Sequence, residues 1–511
     1  MVKYDPDLII DNEEFVNQFM PEEPNLKQTI KDKVLQALIQ GKRNPATEIL
    51  CRYINNLEKI YSLRDDKKEE LWIYKDGVYV PEGKSYIKEI CRDFLDFAFT
   101  ERFCNEVISK ISVDNLINHE DFFNNVYLDE IPVLNGILNL RTKELSSFTP
   151  EKIFFSKINA EYDVDKDCPK LKRFFHEILQ EEDFPAMQEL FGFCLWKENF
   201  TETSFLFRAG GSNGKSKTIE IIKEFLNPAN CVSVPLSQLE DGGSFKIIEL
   251  HHKLVNVAGE LSKSALQETD IFKSLTGRDT VTADRKFLRP ISFVNYAKMI
   301  FNCNDRPPTY DLSDGFFRRW IVFHFKKKFV SKEKFETIPE NERKNIGIKD
   351  PDIVQKLCDP DEFSGLLNWA LQGLHRLLDN KEFSNTKSTE DTREEWLKDS
   401  NNFVVFFEKN MNLSRGHLVS KDDLRTAYTE FCSVNGLDAV SDKAILWYLQ
   451  TKGVTSSRRT KDFAPNHSEQ IHCFVGCRFK VDDVDVRGWS NPLTTDQEVI
   501  EELRILHDKV V

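Results

Sequence analysis

The sequence predicts an α/β fold: a largely parallel sheet covered by helices, with a mixed α+β domain before it and a small domain of helices and a β-ribbon after it. Three observations predict it. A glycine-rich loop, Ala209 to Ser216, separates the apolar run Phe205 to Phe207 from a stretch with Ile219, Ile222 and Phe225 at helical spacing. Two more apolar runs, Leu254 to Ala258 and Met299 to Phe301, end in polar residues, as buried parallel strands do at their carboxyl edge. Beyond about residue 400, three helical patterns precede an irregular ribbon, the layout of a winged helix.

The elements follow in chain order. Residues 1–60 combine an acidic arm containing Pro21 and Pro24 with an amphipathic helix around Ile30 to Ile39. A second unit, 61–198, opens with a hairpin from Leu71 to Val80 around Asp76-Gly77. It continues with helical patterns between about 86 and 116, a strand-turn-strand signal from Val133 to Phe148 and helices over about 169–197. The sheet domain is expected over 199–380, where apolar runs alternate with loops and helices. Residues 381–399 are so polar that they read as a linker, and 400–511 hold helices at 401–410, 420–435 and 441–452, then the ribbon and a tail.

Composition narrows the function classes. A chain of 511 residues exceeds one hydrophobic core, and 40% hydrophobic with 30% charged residues is ordinary for a soluble globular protein. The net charge of −14 argues against a surface that coats nucleic acid, but it leaves room for a local basic channel. No run approaches 18 apolar residues and the first residues carry no apolar signal core, so a cytoplasmic protein without a membrane partner is expected. Eleven scattered cysteines fit a reducing compartment. His472, Cys473 and Cys477 cluster without a second ligand pair elsewhere, which favours core packing over a zinc site.

Gly210, Gly211, Ser212, Asn213, Gly214, Lys215, Ser216 and Lys217 read as a phosphate cradle. Small residues let backbone N–H groups close on an anion, and the helix N-terminus adds partial positive charge. Lys215 reaches terminal phosphates and Ser216 can hold Mg²⁺, so ATP or a similar triphosphate with Mg²⁺ is implied. Ala209 stands where the usual pattern has glycine, which is acceptable if its φ stays negative. Glu260, at the end of an apolar run, is the candidate for polarising water and organising Mg²⁺; Gly259 beside it supplies no second carboxylate, so metal contact there is expected to be indirect. Asn304 could orient water or touch the γ-phosphate, or simply be a strand-end turn residue. Arg318 and Arg319 could neutralise charge on a transferring phosphoryl group, or solvate a loop. Order favours the functional readings: Glu260 follows Lys215 by 45 residues, Asn304 follows Glu260 by 44, and Arg319 follows Asn304 by 15.

This ordered set resembles superfamily 3 helicases, the AAA+-type ring motors of small viruses, phages and plasmids. The likeness is most specific at Phe272-Lys273-Ser274-Leu275-Thr276-Gly277-Arg278-Asp279 and Thr282-Ala283-Asp284-Arg285-Lys286-Phe287. By that resemblance Lys215 and Ser216 belong to Walker A, Glu260 to Walker B and Asn304 to sensor 1. Arg319, or else Arg318, is the arginine finger acting on a neighbouring subunit. Arg285, Lys286 and Phe287 form the pore hairpin and, with Lys273, are the expected DNA contacts; Phe287 stands where some relatives carry His. The resemblance further implies a hexameric ring, single-stranded and forked DNA as partners, 3′ to 5′ movement and the host-cell cytoplasm.

Asn135-Gly136-Ile137-Leu138-Asn139-Leu140-Arg141, Tyr162-Asp163-Val164-Asp165 and Cys168-Pro169 look like the domain preceding the motor in poxvirus-, phage- and plasmid-type primase-helicases. Such relatives often begin with a primase-polymerase domain, for which the first 60 or so residues are too few; priming would then belong to another chain. Local charge agrees with a DNA channel: from Lys273 to Lys328, twelve Lys or Arg face five Asp and no Glu, a net +7. In the terminal domain the helix from Asp442 to Leu449 could enter a groove, with Arg458 and Arg459 on phosphate, or the domain could bind protein. The alternative to a helicase is an ATP-regulated initiator that binds DNA without unwinding it. A small-molecule kinase is a third reading, and it leaves the +7 stretch and the arginine pair unexplained.

Overall fold

The computed structural model describes residues 26–480, apart from 65–68, 125, 241–243, 262–268, 305, 308, 310, 312, 385–386 and 465–466. At its centre five strands, β1 (Ser204–Arg208), β2 (Cys231–Val232), β3 (Val255–Glu260), β4 (Lys298–Cys303) and β5 (Trp320–His324), form a parallel sheet in the order β5-β1-β4-β3-β2. Side chains alternate across a strand, so a sheet covered on both faces needs apolar residues at every position. The strands largely obey this, Ser204, Asn256 and Lys298 being buried polar exceptions: Phe205, Phe207, Val257, Ile300 and Phe323 pack into one layer, and Leu206, Ala258, Met299, Phe301 and Cys303 into the other.

Among the helices that build those layers are α1 (Phe184–Leu195), α2 (Lys215–Leu226), α3 (Asp270–Thr276), α4 (Asp314–Phe317), α5 (Pro360–Asn380) and α6 (Thr389–Ser400). The first layer takes α1, α2 and α5, and the second takes α3, α4 and α6. Asp359 caps α5 by accepting from the Asp361 N–H at 3.0 Å, and Pro360 occupies the first turn, where its missing N–H costs nothing. Helices α1 and α5 cross at Gly192 and Gly373, where an added Cβ would lie 2.3 Å from the Ala370 carbonyl oxygen and 2.5 Å from that of Gln188.

The expected linker at 381–399 is corrected here. Its second half is α6, and Trp396 on that helix is completely buried in the second layer. Ser388 caps the helix on the Asp391 N–H at 3.0 Å, and one large aromatic surface is enough to dock an otherwise charged segment.

The chain before the sheet forms a four-stranded sheet, in the order Val78–Val80, Glu70–Lys75, Ile60–Leu63 and Leu116–Ile117, with helices Leu26–Ile39, Arg43–Leu57, Gly83–Leu95 and Glu101–Asp114. Its hairpin turns at Asp76 and Gly77, both with positive φ, which matches the twist of the flanking strands. A three-stranded meander over 130–146 follows. The Asn135 side chain donates to the Tyr162 carbonyl at 3.0 Å and accepts from its N–H at 2.9 Å, which joins two of the segments singled out in the sequence.

After α6 come helices Asn402–Asn410, Lys421–Asn435 and Asp442–Thr451, close to the expected positions. A strand over Met411–Ser420, absent from the sequence reading, pairs with the ribbon Thr455–Ala464 and His467–Phe479 to give a three-stranded antiparallel sheet. Cys477 lies in the core of this unit, and burial pushes its thiol up to about 12. Cys473 is buried too. The structure of Arg459's side chain and of the tail from 481 lies outside the described residues, as does the acidic arm up to residue 25. Among the described residues no helix is long and apolar enough to cross a membrane.

Candidate functional site

Parallel strands with helical crossovers leave their carboxyl ends facing a crevice, and the glycine-rich loop occupies it directly after β1. Gly211, Ser212 and Gly214 have φ of 93°, 52° and 92°, so the loop curls with its N–H groups free to converge. Ala209 is not among the residues with positive φ, which is why alanine is tolerated where glycine is usual. Gly214 forms the N-cap of α2 in the left-handed conformation, and an added Cβ there would lie 3.0 Å from the Ile178 side chain. That isoleucine ends the helix Pro169–Ile178, so the unit before the sheet braces the loop. Asn213 is buried and Gly210 open, Ser216 is exposed at the start of α2, and Lys217 turns aside to pair with Glu220 at 2.7 Å.

Lys215 is buried, and its ammonium donates to the Cys303 carbonyl at 3.0 Å and to Asn304 Oδ1 at 3.2 Å. The structure therefore brings Lys215 and Asn304 together, across two adjacent strands and 89 residues of sequence. Glu260 ends β3 opposite Asn302 of β4, after a register shift between Val257 and Glu260. The Leu261 N–H donates to the Asn302 carbonyl at 2.8 Å, and Asn302 Nδ2 donates to the Ala258 carbonyl at 3.1 Å. An irregularity of this kind redirects a strand end without disturbing the ladder behind it. Phosphate loop, Lys215, Asn304 and the backbone of Glu260 thus share one sheet edge.

The arginine pair is arranged differently from the expectation. Arg319, at 7% exposure, points into its own chain: Nε donates to Thr276 Oγ1 at 3.0 Å, and Nη2 to Glu202 Oε2 at 2.9 Å. Glu202 also pairs with Arg318, whose side chain is half exposed. Of the two, Arg318 is the outward one, and Arg319 would have to leave Glu202 and Thr276 to meet a neighbour. Nothing near the pair in sequence announces Glu202, which lies 117 residues earlier.

The segment Thr280–Ala283 pairs antiparallel with Ile291–Val294 to form a hairpin carrying residues 284–290 at its tip. Phe287 is 80% exposed, its φ is +64°, and the Lys286 ammonium lies 5.3 Å from its ring centroid. A bulky side chain held at positive φ is uncommon and accumulates at functional positions. Arg285 and Lys273, expected on DNA, are committed elsewhere. Arg285 Nη1 donates to both carboxylate oxygens of Glu70 of the preceding unit at 2.9 and 3.1 Å, and Nε donates to the Arg289 carbonyl at 3.0 Å. Lys273 pairs with Asp311 at 2.6 Å. Burial raises the Asp311 carboxyl, but bonds from Lys273, Ser313 and Thr269 outweigh it and hold the group at about 2. A charge-assisted bond of this sort fixes a loop; it does not leave a cation available to a phosphate.

Behind the hairpin lies a pair of histidines that the sequence did not mark. His252 stacks on Phe155 with ring centroids 3.9 Å apart and on Phe123 at 5.3 Å. Burial lowers both rings, His251 to about 4 with Arg285 adding to the effect, and His252 well below the usual range.

Two family descriptions match the chain. One, "D5 N terminal like", covers residues 4–180, and the other, a family of unknown function (DUF5906), covers 207–319 and so spans the glycine-rich loop, Asn304 and Arg319. A protein of Acanthamoeba polyphaga mimivirus described as a "putative helicase" is 25% identical over 324 residues, 58% of this chain and 32% of that one. The chain thus spans about a third of the length of that relative. Among solved structures, the apo C-terminal region of NrS-1 aligns with a TM-score of 0.41 at 13% identity, over 84% of this chain and 98% of that one. JCV Helicase bound to a thiazolopyridine compound aligns with a TM-score of 0.24 at 12% identity, over 53% and 66%.

Proposed function

We propose that this chain is an ATP-dependent DNA helicase of the superfamily 3 type, with an AAA+-type core over 199–380 and a winged-helix domain after 400. The observation that carries the reading is the Lys215 ammonium held between the Cys303 carbonyl and Asn304 Oδ1 at the edge where the curled loop opens. Sequence similarity to the mimiviral protein supports the same direction. ATP is the substrate: the loop N–H groups and Lys215 bind its phosphates, and Asn304 orients the attacking water.

Mg²⁺ is the expected companion of the triphosphate, with Ser216 at the exposed start of α2 and Glu260, whose side chain lies outside the described residues, at the end of the next strand but one. When bound, the metal supplies charge neutralisation on the phosphates. Glu260 takes up the proton of the attacking water, and a guanidinium from the adjoining subunit of a ring stabilises the charge developing on the transferred group. Lys286 and Phe287 are the contacts to single-stranded DNA, while Arg285 holds the hairpin that presents them.

The test is ATP turnover with and without single-stranded DNA, together with separation of a forked duplex. Lys215→Ala is expected to lower turnover by roughly 10²- to 10³-fold and to abolish unwinding. Mixing Lys215→Ala subunits with Arg318→Ala, and separately with Arg319→Ala, should restore partial activity for whichever arginine acts across the interface. No recovery at any ratio counts against a shared site. Hydrolysis without strand separation would favour an initiator, and turnover indifferent to DNA would favour a small-molecule enzyme.

A further inference from the structure

Helix α6, expected as linker, contacts residues that flank the phosphate loop, Asn304 and Arg318. Asp399 Oδ2 forms an ion pair with Arg208 Nη1 at 3.1 Å and accepts from Arg306 Nη1 at 2.7 Å. Arg208 closes β1 just ahead of the phosphate loop, and Arg306 stands two residues beyond Asn304. The Arg306 side chain has no solvent exposure, and its Nη2 donates to Glu395 at 3.1 Å. Trp396 then donates its indole N–H to the Pro307 carbonyl at 2.8 Å. One turn earlier Arg393 pairs with Asp314 of α4 and lies 5.3 Å from the Phe317 ring centroid, directly before Arg318.

A tether that merely joined two domains would need none of this. Sealing a guanidinium away from water is expensive unless carboxylates meet it with good geometry, and removing one carboxylate leaves the cation uncompensated. The arrangement is therefore rigid, and it grips strand ends. The gap between the ends of β1 and β4 sets the reach from Lys215 to Asn304, and reacting groups lose rate steeply when displaced by even an ångström.

We propose that Asp399 is a positioning residue for ATP turnover: by clamping Arg208 and Arg306 it fixes the spacing of the two strand ends that carry the phosphate loop and Asn304. The inference rests on the nucleotide reading given above. It makes turnover depend on α6 staying docked, and so ties the site to the unit that begins two residues after α6 ends.

The experiment uses the full chain and compares wild type with Asp399→Asn and Asp399→Glu. Asparagine keeps the size and removes the charge; kcat per folded molecule should fall about 10- to 100-fold, with KM for ATP changed less than about threefold. Glutamate should restore a substantial part of kcat. A lowered melting temperature with kcat unchanged would mean that the clamp only stabilises the fold, which overturns the inference. Should Asp399→Asn fail to fold, Glu395→Gln loosens the same Arg306 from its other side and must lower kcat several-fold for the inference to stand. Wild-type protein that hydrolyses no ATP would overturn the nucleotide reading and this inference together, whereas normal wild-type turnover with unaffected variants overturns the clamp alone.

Discussion

Lys215 and Arg285 were both expected to hold phosphate, and their surroundings separate them. Lys215 donates to a backbone carbonyl and to an amide oxygen at the sheet edge that the glycine-rich loop borders. Arg285 meets a carboxylate through two bonds, which satisfies its charge. His252 makes a sharper statement at the same scale. Its ring packs against Phe155 and Phe123 and its Nε2 is sealed from solvent without a hydrogen-bond partner, so the folded protein keeps it neutral. On acidification the unfolded chain takes up a proton near pH 6.5, whereas folded His251 refuses one until about 4 and His252 until well below 6.5. The unfolded state then binds more protons, and stability must fall as pH drops from about 6.5 to 4, by about 1.4 kcal/mol per pH unit for each such histidine. His252→Phe keeps the stacking and removes the titration, so thermal melts from pH 7 to 4.5 should show a shallower decline. Because His252 sits at φ +59°, phenylalanine also lowers the baseline, and the slope is the readout. An unchanged slope would mean that His252 is protonated in the folded state.

Elements show where the sequence is legible and where it is not. Strands β1, β3 and β4 announce themselves by their apolar runs, whereas β2, two residues long, does not, and the loop announces itself because only small residues curl so tightly. Helix α6 escapes the same reading, since a single tryptophan among charges leaves no periodic stripe; Trp396 in a polar tract, preceded by a Ser388 cap, was the available signal. The partners of Arg319 and Arg285 are equally silent, because Glu202 and Glu70 lie 117 and 215 residues away. Glycines at the α1–α5 crossing belong to the same class: nothing local marks Gly192 in the helix Phe184–Leu195, yet a methyl group there would strike backbone atoms of Ala370 and Leu374 at 2.3 and 2.6 Å. Backbone cannot rotate aside as a side chain can, so Gly192→Ala should cost about 3 kcal/mol, despite the better helix propensity of alanine. Denaturant unfolding tests this, and a variant as stable as wild type would mean that the two helices separate more easily than their packing indicates.

For the whole molecule, the net charge of −14 and the +7 stretch between Lys273 and Lys328 pose a question of which cations reach solvent. The structure divides them. Lys273 is paired with Asp311, Arg319 with Glu202, Arg306 with Asp399 and Glu395, and Arg285 with Glu70, so much of the excess is spent inside the fold. The Arg285–Glu70 bond also joins the hairpin to the sheet of the preceding unit, so hairpin orientation and that unit move together. At the tip Lys286 lies beside the exposed Phe287 ring. If the helicase reading holds, these two residues make the contacts and Arg285 does not, and salt separates the cases. Each phosphate contact to a single strand releases about 0.7 of a counterion, so Lys286→Ala should reduce the steepness of log K against log salt by about 0.7. Arg285→Ala should leave that slope unchanged and instead weaken DNA stimulation of ATP turnover, because an untethered tip presents Lys286 and Phe287 less often in the bound geometry. Titration of labelled single-stranded DNA at several salt concentrations distinguishes them, and equal loss of slope in both variants would place Arg285 on the phosphates after all.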